Sequence, residues 1–248
     1  WGSVPPGGDN EFKSRADSIT AEILSAADLL TATSPKTIEY WRRLNQSAQY
    51  LFLPNGYDES DFRKPRPQVT DTVGIYGTIN HLTGIEEIFS WLRAFRDKHP
   101  ERRLVIRHTG QAQVAGLDSL LSKYELNDCW RSDGYLPHED GVERIRASRV
   151  NVISLAAEYD TSYAIPSRLF ELLRAEPPLL ASFPRASAAR QLLEQHDFAG
   201  VTLVDNVDGF TEALAEALSG AANERRAGVE VFERGQQLRE LDARLSAL

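Results

Sequence analysis

Methionine is absent from the 248 residues, cysteine occurs once, and no apolar run is long enough to cross a bilayer. Each absence narrows the field. A lone Cys129 excludes an internal disulfide and suits a reducing cytoplasm, where it reads as a small buried hydrophobe. With no spanning segment and no signal-peptide pattern at the N-terminus, any membrane contact is expected to be peripheral. Lys and Arg number 28 against 36 Asp and Glu, and a net charge of −8 disfavours a nucleic-acid partner, which selects for a basic face. The histidines His81, His99, His108, His138 and His196 include no pair spaced to set two ligands on one helix face, so no metal site is expected. Neither a Gly-x-Ser-x-Gly elbow nor a Gly-x-x-x-x-Gly-Lys-Ser/Thr loop occurs, which disfavours serine hydrolases and phosphate-loop NTPases.

What is present is a regular alternation of short apolar runs and amphipathic segments. Residues 12–27 read as a helix, 29–33 as a strand, 35–44 as a helix and 50–54 as a strand ending in the turn Asn55-Gly56. Lys64-Pro65-Arg66-Pro67 then reads as a stiff connection. Strands at 72–76, 104–108, 128–132, 150–155, 179–183 and 202–205 follow, separated by helices at 84–98, 117–124, 139–147, 167–175, 186–196 and 209–218. A final charged helix is expected over 224–248. This order predicts an α/β fold, a Rossmann-like doubly wound parallel sheet preceded by βα units of a second Rossmann-like domain. Two such units cannot make a domain alone. Together with an opening Trp1-Gly2-Ser3-Val4 and no methionine, they lead to the expectation of a piece of a longer protein.

The most informative stretch is Tyr163-Ala164-Ile165-Pro166-Ser167-Arg168-Leu169-Phe170-Glu171-Leu172-Leu173, a loop leaving a buried strand and opening a helix. Leu169, Leu172 and Leu173 point to the core, and Arg168 and Glu171, three apart, share the opposite face. By themselves these two also fit an exposed ion pair. As a site, Arg168 beside helix amides suits phosphate, and Glu171 suits a ribose diol. A second loop, Gly77-Thr78-Ile79-Asn80-His81-Leu82-Thr83-Gly84, leaves the first strand of the regular domain, and Gly77 permits a close backbone approach.

The Pro166-Ser167-Arg168-Leu169 to Glu171 segment resembles the Pro-Ser-Lys-Leu-x-Glu-Tyr-Leu segment of family 4 glycosyltransferases of the GT-B fold. The resemblance runs in order through Ala27-Asp28 with Thr33-Ser34, Pro54-Asn55-Gly56-Tyr57-Asp58 and Gly134-Tyr135-Leu136-Pro137-His138-Glu139. It implies that 1–62 is the remnant of an acceptor domain with its hinge, 63–222 a nucleotide-sugar donor-binding domain, and 223–248 a helix crossing back. It implies donor contacts at Gly77, Thr78, Tyr135, Leu136, Ile165, Ser167, Arg168 and Glu171, with no metal and no cofactor beyond the nucleotide-sugar substrate. The acceptor would be a glycan, a lipid-linked sugar or a small molecule, and the pathway surface polysaccharide assembly. The transfer implied is retaining, of hexosyltransferase type.

Two departures stand out. The loop Arg and Lys common in that family are replaced here by Asn80, His81 or Thr83, and Tyr163 occupies the place of the first of two family glutamates. Glu158 and Asp160 lie in the same loop as substitutes for that acid. These departures keep two alternatives open, a GT-B nucleotide-sugar epimerase and a non-catalytic sugar-nucleotide binding subunit.

Overall fold

Six runs of three to five residues, buried throughout at β3 and β7 and more exposed at the edges, are assembled by the structure, a computed structural model describing residues 10–220 and 225–247, into one parallel sheet. In chain order the elements are α1 (Asn10–Ala26), β1 (Leu29–Ala32), α2 (Pro35–Leu44), β2 (Gln49–Phe52), a 3-10 turn (Glu59–Phe62), β3 (Val73–Tyr76) and α3 (Ile85–Lys98). There follow β4 (Ile106–Thr109), α4 (Leu117–Lys123), β5 (Trp130–Gly134), α5 (His138–Ala147), β6 (Val150–Ser154) and α6 (Arg168–Arg174). The chain continues through β7 (Leu179–Ser182), α7 (Ala188–His196), β8 (Val201–Leu203), α8 (Val207–Ser219), a second 3-10 turn (Val229–Phe232) and α9 (Arg234–Leu245).

The large sheet has the order β5-β4-β3-β6-β7-β8, parallel throughout. The expected α/β class and doubly wound sheet are what the chain adopts. The strand order reverses between β3 and β6, and at such a switch point the loops diverge to opposite faces and leave a crevice. One face is covered by α3, α4 and α8, with Ile88, Phe89, Leu92, Phe95, Phe210 and Leu214 fully buried. The other is covered by α5, α6 and α7, with Ile145, Leu169, Phe170, Leu172, Leu173 and Leu192. Each such side chain contributes about 1.5–3 kcal/mol through burial. β1 and β2 pair in parallel as a separate two-stranded sheet carrying α1 and α2.

The segment between the sheets is tied down rather than free. Arg174 of α6 holds Glu59 through two hydrogen bonds, 2.8 and 2.6 Å, and lies over the Phe62 ring at 4.7 Å. Arg146 of α5 holds Glu176 at 3.2 and 2.9 Å and donates to the Lys64 carbonyl at 2.9 Å.

The expected single helix over 224–248 is corrected. Among the described residues the α-helix begins only at Arg234, and Glu224, like Trp1 to Val4, lies outside the described residues. The reason is tertiary. Gly228 turns at φ +82°, a left-handed conformation that interrupts helical pairing, and Arg226 just before it is drawn into the core. Its guanidinium donates to the carbonyls of Leu172 (3.2 Å), Leu173 (3.1 Å), Ala175, Pro177 and Gly200 (3.3 Å). Those carbonyls include ones at the end of α6 that have no partner within the helix. Glu233 then caps α9 by accepting from the Gly235 and Gln236 amides at 3.0 and 2.8 Å. The start of α9 is fixed to the inter-sheet segment by Arg234 N to Tyr57 O (3.0 Å) and Gln237 Nε2 to Pro54 O (3.1 Å).

Candidate functional site

At the carboxyl ends of β3 and β6 lies a cavity of about 330 Å³, lined by Ile75, Thr78, Asn80, Ser154, Ile165 and Arg168 among others, with Thr33 reaching it from the small sheet. Its floor is rigid. Gly77, at φ +90°, donates its amide N–H to the Thr109 carbonyl at 2.8 Å, and its own carbonyl faces His108 Nε2 at 2.9 Å. His108 is stacked on Trp130 and 1% exposed, and burial holds its imidazole below the ordinary value.

Arg168, the first residue of α6, runs back across the switch point to the β3 loop. It donates from Nη1 to the Tyr76 carbonyl and from Nη2 to the Thr78 carbonyl at 3.2 Å. A side chain at Gly77 would collide with this guanidinium, so the glycine serves the arginine's approach as well as the turn. Guanidinium carries five N–H groups, so these two bonds leave donors over for a ligand. No ion pair joins Arg168 and Glu171 among the described residues, and the Arg168 guanidinium is engaged by the β3 loop instead.

Glu171, one turn on, is 22% exposed and accepts no hydrogen bond among the described residues. The nearest cation is His138 at the start of α5, with Nδ1 3.9 Å from Glu171 Oε1; His138 Nε2 in turn meets Asp61 Oδ2 at 2.9 Å. Burial pushes the Glu171 carboxyl above its ordinary range, opposed by His138, Arg234 and Arg168, while Asp61 adds to the rise. The carboxylate is therefore partly exposed, with acceptor capacity left over among the described residues.

Among the other residues singled out from sequence, Thr78 and Ile165 line the cavity. Ser167 stands exposed at the rim, in helical backbone, with no capping bond from its side chain. Gly134, at φ +68°, leads into Tyr135 (77% exposed) and half-buried Leu136 on the loop that delivers His138. Asn80 and Thr83 serve their own turn: Asn80 Oδ1 accepts from Leu82 N at 2.9 Å, and Thr83 Oγ1 donates to Asn80 O at 2.7 Å. His81 packs edge-on against Tyr159 at 5.1 Å. Glu158 lines a separate cavity of about 420 Å³ beside Glu87, and Asp160 accepts from Ser162 N at 3.0 Å. Cys129 is buried, as expected.

One residue has no signal in the sequence, Asp61 in the connection; His138 reads there as helix entry and surface, or as an acid/base group of the epimerase alternative beside Glu158 and Asp160. The only available signal was that His138 opens a helix at the carboxyl edge of the sheet. Among the described residues no group of three or more His, Cys, Asp or Glu is placed to hold a metal, and no helix is long and apolar enough to cross a membrane.

No family model matches the sequence, and no curated protein matches it either. Solved structures do. A sucrose-phosphate synthase from Thermosynechococcus elongatus aligns over 100% of this chain and 64% of its own length, with TM-score 0.59 and 18% identity. An alpha,alpha-trehalose-phosphate synthase (UDP-forming) from Burkholderia vietnamiensis aligns over 94% of this chain and 62% of its own, with TM-score 0.65 and 12% identity. WaaG, a glycosyltransferase involved in lipopolysaccharide biosynthesis, aligns over 77% and 54%, with TM-score 0.58 and 14% identity. The chain thus spans less than two thirds of each of these proteins. At such identities the likeness is one of architecture, and the architecture is that of GT-B glycosyltransferases, with a Rossmann-like parallel sheet.

Proposed function

We propose that this chain carries the nucleotide-sugar donor site of a glycosyltransferase that moves a sugar from a nucleotide-sugar to an acceptor. The observation that carries the proposal is Glu171. A partly exposed carboxylate with raised proton affinity and no hydrogen-bond donor among the described residues, one turn along the helix whose first residue, Arg168, lines the switch-point cavity, is what a nucleoside's ribose hydroxyls would satisfy. Arg168, anchored by two carbonyls, would direct its remaining donors to the diphosphate, and Gly77 and Thr78 would bring backbone to it. Ile165 and Ser167 would border the sugar side, and Tyr135 and Leu136 the base.

In this reading residues 63–222 form the donor domain, 1–62 carry the end of an acceptor domain with its hinge, and 223–248 return toward that domain. Transfer is assigned as retaining, of family 4 and hexosyltransferase type, and metal-independent, with Arg168 and backbone amides stabilising the departing diphosphate. Glycan, lipid-linked or small-molecule acceptors, a role in surface polysaccharide assembly and a cytoplasmic site at the inner membrane face complete it. The titration that tests it offers UDP, GDP and ADP to the wild-type chain and to Glu171→Ala. Saturable binding of one nucleotide, weakened by the substitution, supports the reading; no binding by the folded wild type refutes it.

A second reading, a non-catalytic sugar-nucleotide binding subunit, is favoured by the partial commitment of Arg168 to backbone carbonyls in a loop that carries no other Arg or Lys. Release of nucleoside diphosphate from a nucleotide-sugar by the longer protein separates the two, and interconversion of free nucleotide-sugars would identify an epimerase instead.

A further inference from the structure

Two side chains that the donor-site reading does not use, Asp61 and His138, form a chain that ends on Glu171. The three come from the connecting segment, from α5 and from α6, with 77 residues separating Asp61 from His138. We infer that His138 is a positioning residue for Glu171: braced by Asp61, it holds the Glu171 carboxylate charged and turned toward the cleft, so that nucleotide recognition depends on how the connecting segment is seated. The inference rests on the donor-site reading of Glu171 and goes beyond it by assigning the residues that set its state.

The geometry supplies the argument. His138 Nε2 lies at hydrogen-bond distance from Asp61 Oδ2, 2.9 Å, while Nδ1 lies 3.9 Å from Glu171 Oε1, an ion-pair distance too long for a hydrogen bond. An imidazolium between two carboxylates satisfies both, since each ring nitrogen then carries a proton. A neutral ring has one N–H. With that proton given to Asp61, the Nδ1 lone pair faces the Glu171 oxygen and repels it.

The other charged groups facing this cluster are Arg234 of α9 and Arg168 of α6. Arg234 is itself engaged by Asp58 at 2.6 Å. The hydrogen bond to Asp61 raises the His138 imidazole above its ordinary value, with Glu171 and Asp61 charges adding and burial and Arg234 opposing. Asp61 sits in the 3-10 turn Glu59–Phe62, which Arg174 fixes to α6 through Glu59. Displacing that turn would withdraw the brace from His138 and with it the cation from Glu171.

The expected signature is a bell-shaped dependence of nucleotide affinity on pH. The acid limb follows ionisation of Glu171, and the alkaline limb follows loss of the His138 proton. Calorimetric titration of the described chain with whichever of UDP, GDP or ADP binds, between about pH 5 and pH 9, reads both limbs. His138→Phe is expected to remove the alkaline limb, move the acid limb upward and weaken peak affinity about tenfold, the scale of one interaction with a charged group. Asp61→Asn keeps the ring and is expected to shift the alkaline limb to lower pH.

The His138 side chain is 57% exposed, so neither substitution strips the core, and circular dichroism checks the fold. If both variants keep wild-type affinity and pH profile while Glu171→Ala loses binding, His138 does not position Glu171, and the donor-site reading survives without it. If the folded wild type binds none of the three nucleotides, the donor-site reading and this inference fall together.

Discussion

Helix α6 has two ends, each met by an arginine that donates to backbone carbonyls, and the difference between them separates stability from recognition. At the C-terminal end, buried Arg226 donates to five carbonyls and is closed off from solvent, its pKa pushed down to about 10 by that burial. At the N-terminal end, Arg168 uses two carbonyls and borders an open cavity, and one turn later Glu171 has no hydrogen-bond donor among the described residues. One end is saturated but for the buried Arg226 Nε, which has no partner, and the other is left with unspent donors and acceptors. Groups of the second kind cost stability in the free protein and regain it from a ligand.

The largest effect should come from the saturated end. Arg226→Met removes the partner of five carbonyls and is expected to destabilise the fold by about 3–5 kcal/mol, on the scale of breaking a buried charged network. Thermal unfolding should move down by on the order of 10 °C for a chain of this size, while nucleotide affinity persists below the new midpoint. A midpoint within error of wild type would show that the contrast between the ends is not one of stability.

Arg174→Ala is the next test. It breaks the bidentate pair with Glu59, and since Glu59 is about a third exposed, the expected loss is about 2 kcal/mol rather than the full value for a buried pair. Its pH dependence has a definite sign. The Arg174 hydrogen bond holds Glu59 below its ordinary 4.5, so the pair's contribution is present above that value and lost as pH falls through the lowered folded value. Acid unfolding curves of wild type and Arg174→Ala should therefore converge at the acid end.

At the unsaturated end the expected change lies in binding. Glu171→Ala should weaken nucleotide affinity by roughly tenfold or more with little change in thermal midpoint, read by calorimetry and melting side by side. The smallest effect sharpens the contrast. Because the folded Glu171 carboxyl is raised above its ordinary 4.5, mainly by burial, its ionised form costs stability at neutral pH. Glu171→Gln should then raise stability slightly, by less than about 1 kcal/mol, at pH 7 and not at pH values below 4.5, where both states are protonated. A variant less stable than wild type at neutral pH would mean the carboxylate is satisfied in the free protein.

Much of this arrangement was legible in the sequence because it is periodic or local. Val150–Ser154 and Leu179–Ser182 are apolar runs whose length and neighbours leave little choice but buried strands, and the parallel sheet follows from the helices between them. The Arg168 to Glu171 segment was legible as a site because its spacing is local. What escaped depends on distance along the chain. His138 acquires its meaning from Asp61 and Glu171, and the interruption before α9 depends on carbonyls of residues 172–200 that draw Arg226 inward. The C-terminal segment carries enough charged and polar residues to read as continuous helix, and only tertiary demand overrides that propensity. No rule of helix spacing reports that the Arg168 side chain will turn back across a glycine to the carbonyls of the β3 loop.

Arg226 also bears on the order in which the molecule is built. Its guanidinium finds partners only after the end of α6, the approach to β7 and the turn before β8 have come together, for the five carbonyls belong to all three. Docked earlier, it would lose water without gaining acceptors. The seat of the segment from 225 onward is therefore made by those three pieces together, and the same segment carries α9 onto Pro54 and Tyr57. The tail works as a latch whose key is cut by the finished domain.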